Sequence, residues 1–452
     1  MNEETIVALA TPPGQAGVAM IRFSGSQSEA ILNRLIRPLP KKWQPRHSTH
    51  GFLHDGERRI DECLAVLFRG PHSYSGEDMA EISLHANPFV VEEVLALAYG
   101  HGARAALPGE FTYRAFRNGK MDLLQAEAVN DLIRANSRAG SLMEFDNLEG
   151  RLSRAVGALR EALLGAAVDV ETGIEFAEDQ HLEPGREGGG LAVAAASLEM
   201  ILASSRFSEV LNQGLQVVIA GRVNVGKSSL FNALLLKERS IVSELPGTTR
   251  DYIEETLRLE GVACRVTDMA GIRPAAGDDI ENQGMRRSLD KIALADAVLF
   301  MVDASQPLQE CDLEIARLLG AKKRMLLANK SDLADQEIMR TIRAAFPDDM
   351  AHMISARSGD NLDAVIRFLK GLLRDLPDPA GVVAVNLRQK GLLAKLHDVI
   401  QRIMRLQAQA PAPGELIAEE IRQGLLLIGE LTGAVGADDI LRGVFASFCI
   451  GK

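Results

Sequence analysis

Residues 215 to 229, Leu-Gln-Val-Val-Ile-Ala-Gly-Arg-Val-Asn-Val-Gly-Lys-Ser-Ser, restrict the folds open to this chain more than any other stretch. Leu215 to Ala220 is a short apolar run rich in β-branched residues, the mark of a buried parallel strand. It stops at Gly221. Gly221 to Ser228 fits the pattern Gly-x4-Gly-Lys-Ser, and Leu230, Phe231 and Leu234 begin a helix. Strand, glycine loop and helix together are the context that a phosphate loop requires. Glycines let the backbone come close to phosphate oxygens, so that its N–H groups and the helix N-terminus surround the anion. On this reading Asn224, Val225, Gly226 and Ser229 wrap the phosphates, Lys227 pairs with the β- and γ-phosphates, and the Ser228 hydroxyl holds Mg2+. The bland alternative is an ordinary glycine-rich turn.

Four later stretches, in order, argue against that alternative. Pro246-Gly247-Thr248-Thr249-Arg250-Asp251 is polar and stands where a switch loop should supply a second Mg2+ hydroxyl. Asp268-Met269-Ala270-Gly271 closes an expected strand, Ala263 to Thr267; its aspartate would hold Mg2+ through water and its glycine would read the γ-phosphate. Asn329-Lys330-Ser331-Asp332 closes another, Met325 to Ala328. Asp332 can accept both N–H groups on the edge of guanine, a donor pair that adenine lacks, so this stretch selects GTP. Ser355 and Ala356, followed by Arg357, end a further strand and would meet the guanine carbonyl through the backbone. In this order the stretches resemble the translation-factor class of GTPases, which implies a Ras-like α/β domain. Ile272 follows Asp-x-x-Gly where Ras-like proteins place a water-orienting glutamine, so hydrolysis needs other help.

Composition bounds the rest. The 452 residues suggest roughly two to four domains. A net charge of −11 argues against a broad basic face that grips nucleic acid alone, though it permits a local basic patch or a basic partner. The four cysteines, Cys63, Cys264, Cys311 and Cys449, form no Cys-x-x-Cys pair, so neither a zinc site nor a disulfide framework is expected. The acidic opening Met-Asn-Glu-Glu-Thr has no apolar core, and no apolar run reaches membrane-spanning length. The expectation is a cytoplasmic protein with neither signal peptide nor membrane span.

Along the chain, residues 1–118 read as an α+β domain, with strands at Thr5 to Ala10, Gly17 to Phe23, Glu62 to Phe68 and Met79 to Leu84 and a helix at Val90 to Leu97. Its polar residues Arg22, Ser75-Gly76-Glu77-Asp78, Glu81 and His85 read first as turn and surface groups. Residues 119–213 read as helical: Met121 to Ala135, then an apolar stripe of Leu148, Leu152, Val156, Leu159 and Leu163. Glu183 to Gly190 breaks this pattern as a mobile loop, and helix resumes over Leu191 to Leu211. The GTPase spans 214–376 and ends at Leu376-Pro377-Asp378-Pro379. Helix returns over 377–452, with amphipathic stretches at Leu392 to Leu406 and Glu415 to Leu431, the latter capped by Gly433. The economical architecture is one discontinuous helical domain with the GTPase inserted; the alternative is two independent helical domains. The last residues, Phe448-Cys449-Ile450-Gly451-Lys452, are too apolar for a frayed end and predict a docked tail, either structural or part of a site.

Further stretches carry a resemblance over the whole length. They are Ala10-Thr11-Pro12-Pro13-Gly14, Ser75 to Asp78, Pro108-Gly109-Glu110-Phe111-Thr112, Asp122 to Ala128, Gly247 to Asp251 and the terminal Cys-Ile-Gly-Lys. The chain resembles the TrmE/MnmE family of tRNA-modification GTPases. The resemblance implies an N-terminal domain that dimerises and binds a tetrahydrofolate derivative (5-formyl- or methylene-tetrahydrofolate), a helical domain and an inserted GTPase. It implies a homodimer that works with the flavoprotein GidA/MnmG to build aminomethyl or carboxymethylaminomethyl groups at C5 of the tRNA wobble uridine. Folate contacts then fall on Arg22, Glu81, Lys120 and Lys452. Potassium ligands fall on Asn224, Ser243, Leu245 (by its carbonyl) and Thr248, in the stretch that includes Glu244 and Pro246. Thr249 matches the second Mg2+ hydroxyl, and Glu281 a glutamate that orients the attacking water. A cation beside the phosphates would neutralise developing charge as an arginine finger does. The chain departs from the family pattern at Val223, where proline is usual, at Met269, where threonine is usual, and at His85-Ala86-Asn87-Pro88, where His-Gly-Gly-Pro is usual. Competing readings are a GTP-gated RNA or ribosome assembly factor without modification activity, and a folate binder whose GTPase only regulates. Cys449 is either packed or a thiol near one-carbon chemistry.

Overall fold

A computed structural model describes residues 4–175, 189–239, 254–268, 291–374, 383–409, 412–435 and 438–451. The chain forms two units: Met1–Ile133, Glu144–Glu199 and Leu387–Lys452 make the first, and Arg134–Met143 and Met200–Asn386 the second.

In the first unit the described strands are β1 (Ile6–Leu9), β2 (Ala16–Ser24), β3 (Ile36–Arg37), β4 (Thr49–Asp55), β5 (Arg58–Phe68), β6 (Met79–Ala86) and β7 (Arg104–Ala105). They pair in the order β3-β4-β5-β6-β2-β1-β7. All described pairs are antiparallel except β1 with β7. Strand alternation sorts the side chains. Val7, Ile21, Phe23, Ile82 and Leu84 pack against helices Ser28–Leu35 and Pro88–Gly100. Asn87 caps the second helix by accepting from Phe89 N at 3.0 Å, with Pro88 at its first position. The residues between them, Arg22 and Glu81 among them, point to the opposite face. There Ile6, Ala8, Met79 and Phe111 form a second cluster.

The N-terminal domain closes with helix Glu110–Arg117, and the helical part of this unit includes Leu123–Arg134, Arg151–Glu175, Leu387–Gln407, Gly414–Thr432 and Asp438–Ala446. Helix Gly414–Thr432 packs on both Arg151–Glu175 and Leu387–Gln407. Gly424 marks the crossing: a Cβ there would stand 2.8 Å from Leu163 Cδ1 and 3.4 Å from Val399 Cγ1. The helix ends at Gly433, whose φ of +79° is the left-handed cap expected of it. The two pieces that flank the GTPase in sequence are tied by one buried carboxylate. Glu127 accepts from Arg388 Nε and Nη2, each at 2.7 Å, and from Gln389 Nε2 at 2.7 Å. Arg388 also donates to the carbonyls of Glu430 and Leu431, the negative end of a helix dipole.

In the second unit the described strands are β8 (Leu215–Ala220), β9 (Glu254–Leu259), β10 (Val262–Asp268), β11 (Ala297–Asp303), β12 (Arg324–Asn329) and β13 (Ala351–Met353), in the order β13-β12-β11-β8-β10-β9. All pairs are parallel except β9 with β10. Both faces are covered. Leu215, Val217 and Ile219 pack against helices Lys227–Arg239 and Leu362–Arg374. Val218, Ala220 and Phe300 pack against Glu310–Leu319 and Gln336–Ala345. The fold is therefore an N-terminal α+β domain, a discontinuous helical domain and an inserted Ras-like α/β domain.

The apolar stripe differs from expectation. Leu148 ends the helix Arg138–Leu148, and Gly150, at φ +85°, starts the chain in a new direction. Leu152, Val156, Leu159 and Leu163, continued by Ala166, form the buried face of the next helix. The expected loop over Glu183–Gly190 lies outside the described residues as far as Gly188, whereas Gly189 and Gly190 already belong to the helix Gly189–Gln213; the linker at Leu376–Pro379 lies outside the described residues. Among the described residues no helix is long and apolar enough to cross a membrane, and no His/Cys/Asp/Glu group could hold a metal.

Replacing Arg388 by alanine would leave the Glu127 charge buried with Gln389 as its remaining side-chain donor. The expected cost is near the low end of ~3–5 kcal/mol. It should appear as a lower urea midpoint in far-UV circular dichroism; an unchanged midpoint would show that the pair contributes nothing net.

Candidate functional site

Strands β8, β11 and β12 deliver their C-terminal ends side by side, the edge at which parallel α/β sheets bind ligands. The loop after β8 is shaped by sterics. A Cβ on Gly221 would lie 2.5 Å from the Met301 carbonyl oxygen, and one on Gly226 only 2.2 Å from Asn329 Nδ2. Asn224 sits at φ +66°, a left-handed position that asparagine tolerates, and its side chain is exposed. Lys227 is buried, and its Nζ donates to the carbonyls of Gly221 and Arg222, both at 3.0 Å. Ser228 and Ser229 follow in the exposed first turn of the helix. Glycines that only a bare backbone can satisfy, a lysine folded over the loop and a hydroxyl at the helix start fit a nucleotide phosphate with Mg2+.

The base-side loops are fastened to the phosphate loop by Asn329. Its Nδ2 donates to the Val225 carbonyl at 2.6 Å, and its Oδ1 accepts from Ala356 N at 2.9 Å. Asp332 is exposed, and its Oδ1 accepts from the buried Ser355 hydroxyl at 2.8 Å. That bond leaves Oδ2 to share in gripping a base edge. Lys330, at φ +64°, donates from Nζ to Asp303 Oδ2 at 2.6 Å. Asn224 to Ser229, Asn329, Lys330, Asp332, Ser355 and Ala356 thus meet at one edge, with Arg357 exposed just beyond.

Two carboxylates there were not anticipated from sequence. Asp303 ends β11, and Asp312 lies in the following helix; both are buried. Burial works to raise the Asp303 carboxyl, but hydrogen bonds from Lys330 and Ser305 outweigh it and hold it below the ordinary range. Burial pushes the Asp312 carboxyl up against the opposing Gln309 N–H and the charge of Arg222. The available signal was an aspartate closing the wholly buried run Ala297–Asp303 at a sheet's ligand-binding edge.

Ser243, Glu244, Leu245, Pro246, Gly247, Thr248, Thr249, Met269, Ala270, Gly271, Glu281 and Lys452 lie outside the described residues. The backbone of Asp268 ends β10, in register with Ile219 of β8.

In the first unit the outer sheet face carries the other candidates. Arg22 and Glu81 stand directly opposite across β2 and β6, and Arg22 Nε donates to Glu81 Oε1 at 2.8 Å. The Arg22 guanidinium also lies over the rings of Tyr74 (5.8 Å) and Phe111 (5.9 Å). The C-terminal tail is docked here. Gly451, at φ +95°, lies so close to β1 that a Cβ would stand 2.4 Å from the Leu9 carbonyl oxygen. Arg22 Nη1 donates to the Gly451 carbonyl at 3.3 Å. The tail is held upstream where Phe445 and Phe448 pack with Tyr113 and Phe116, and Gly109 N donates to the Cys449 carbonyl at 3.4 Å. Cys449 itself is exposed, whereas burial pushes the thiols of Cys63 and Cys264 up to about 12. Lys120 donates from Nζ to the Pro71 carbonyl at 2.9 Å.

The doubly covered, mostly parallel sheet, the phosphate loop and the Asn-Lys-Ser-Asp loop at the same edge define a phosphate-loop GTPase. Two family models match the chain: the GTP-binding protein TrmE N-terminus over residues 5–120 and the MnmE helical domain over residues 123–449. The tRNA modification GTPase MnmE of Roseiflexus castenholzii is 38% identical over 467 residues, covering 100% of both chains. That of Aquifex aeolicus is 37% identical over 453 residues, covering 99% of this chain and 100% of its own. A crystal structure of Aquifex aeolicus Era bound to GDP and aluminium fluoride shares 28% identity over 43% of this chain and 67% of its own, with a TM-score of 0.29. The chain belongs to the MnmE family of tRNA modification GTPases, and it is a GTP hydrolase.

Asp332→Asn exchanges an acceptor for a mixed donor and acceptor. GTP turnover should fall at least ~10²-fold, and xanthosine triphosphate, whose edge offers a carbonyl where guanine has an amino group, should become the better substrate. Competition between the two triphosphates in a phosphate-release assay checks this; an unchanged preference would remove Asp332 from base selection.

Proposed function

We propose that this protein is a cytoplasmic, homodimeric, K+-assisted GTPase that modifies C5 of the tRNA wobble uridine together with the flavoprotein GidA/MnmG, using a tetrahydrofolate one-carbon donor. The observation that carries this reading is the seating of the helical domain's tail, Cys449 to Gly451, on the N-terminal sheet face beside Arg22 and Glu81. A GTPase that only gated RNA binding has no use for such a seat. Members of this family are named as tRNA modification GTPases, which supports the substrate class.

The residues divide the work by chemistry. Lys227 and the loop amides bind the phosphates, while Ser228 and Thr249 hold Mg2+. Asn224 presents an exposed amide carbonyl from a left-handed turn, a hard oxygen suited to K+. Ser243, Leu245 and Thr248 complete that ligand set, and Glu281 orients the attacking water. When bound, K+ supplies charge neutralisation beside the phosphates. Arg22, Lys120 and Lys452 can pair with folate carboxylates. Glu81 can accept from a pterin amino edge if it shares its bond to Arg22. Cys449 presents its thiol from the tail.

GTP turnover should be on the order of 10²-fold faster in KCl than in NaCl at equal ionic strength. Asn224→Gly, which keeps the left-handed backbone but removes the amide, should abolish the difference and leave GDP binding intact. Turnover indifferent to the cation would sink the potassium reading and leave GTP binding untouched. Loss of tetrahydrofolate binding in Arg22→Ala, with wobble-uridine modification lost in cells carrying that variant, tests the other half. A deletion strain with normal wobble uridines would point instead to a GTP-gated RNA assembly factor.

A further inference from the structure

We infer that Arg222 is a positioning residue that couples the phosphate loop to the guanine loop through the shared carboxylate of Asp303. The inference rests on nucleotide binding at the phosphate loop and adds a residue whose side chain need touch neither phosphate nor base.

Arg222 is the second residue of the phosphate loop. Its main chain and side chain face different tasks. Its carbonyl accepts from Lys227 Nζ at 3.0 Å, so the position of its backbone sets where the phosphate-binding ammonium rests. Its side chain, 14% exposed, turns away from the loop between two buried carboxylates. Nη2 stands 3.8 Å from Asp303 Oδ2, and Nε stands 3.5 Å from Asp312 Oδ2. Nη2 also donates to Gln306 Oε1 at 3.1 Å.

Asp303 Oδ2 is at the same time the acceptor for Lys330 Nζ of the guanine loop. Two cations from two loops therefore meet one carboxylate oxygen. Asp303 is held still by Ser305, whose N and Oγ donate to Oδ1 at 2.9 Å and 2.6 Å. The second carboxylate balances the charge: two cations face two anions, and both carboxylates are buried. Asp312 Oδ1 and Arg222 Nε have no hydrogen-bond partner although both atoms are buried. Arg222 is thus held by charge from two sides rather than locked in a bidentate fork. A displacement of either loop is felt by the other through Asp303. The tie is distinct from the one Asn329 makes, since it bears on the lysines of the two loops rather than on the Val225 carbonyl.

The test is a double-mutant cycle on GDP affinity, with fluorescently labelled GDP as probe and full-length protein throughout. Wild-type binding that is lost in Lys227→Ala checks the nucleotide site itself, independently of Arg222. Arg222→Gln should weaken GDP roughly tenfold and raise KM for GTP by a similar factor, with kcat nearly unchanged, as expected when ground-state and transition-state binding weaken equally. In an Asp303→Asn background the same substitution should have little further effect. Thermal melting shows which variants are folded. If Arg222→Gln fails to fold, Arg222→Lys carries the test: it keeps the charge, shortens the reach and should show a smaller loss of the same kind. An unchanged KM and GDP affinity, a fall in kcat alone, or losses at Arg222 and Asp303 that simply multiply would each overturn the coupling.

Discussion

One amide side chain holds the nucleotide half of this protein in register. Asn329 leaves β12 and bonds the Val225 carbonyl in one direction and the Ala356 N–H in the other, so three loops from three strands are spaced by one planar group. Gly226 is the counterpart of that bond. Its missing Cβ is what allows the amide to reach the phosphate loop at all. Backbone groups so buried must find partners, and here they find them in a side chain rather than in a ladder. Each tie between these loops fixes backbone that a looser cradle would have to order on binding phosphate.

The rest of the molecule uses the same device on a larger scale: buried charge bridges segments far apart in sequence. Glu127 joins the helical piece before the GTPase to Arg388 and Gln389 just after it. Arg114 is buried against Glu77 and Glu110 and donates to the Ser24 and Glu4 carbonyls, binding the first strands to helix Glu110–Arg117. Such pairs add modestly to stability, because desolvation offsets much of the attraction. What they contribute is uniqueness of pairing, since a mismatched partner leaves a charge buried alone.

Much of this was legible in the sequence, and the reasons are physical. The strand–loop–helix around Lys227 follows from local pattern, because the glycines and the lysine are neighbours in sequence and in space. Gly433 was recognisable as a helix stop because the left-handed cap is a local event. Other features were hidden. Periodicity joined Leu148 to the stripe that begins at Leu152, since a 3.6-residue repeat does not register the turn at Gly150. Helix Glu110–Arg117 is short, and its N-cap, Gly109, makes no capping bond from a side chain, so no start signal was visible. Arg222 reads as a surface arginine until the fold places Asp303 and Asp312 beside it. Arg22 and Glu81 are 59 positions apart, and only strand register makes them partners. In the sequence they stood out through family resemblance rather than through chemistry.

The docked tail has a consequence for how the protein is made. The bond from Arg22 to the Gly451 carbonyl spans 429 positions, close to the full length of the chain. The N-terminal sheet leaves the ribosome long before Gly451 is synthesised, and early domains fold as they emerge. Until Gly451 docks, the Arg22 guanidinium lacks its carbonyl partner on that face. Contacts that close so long a loop form late, so this wall of the candidate folate site is among the last parts of the fold to be completed.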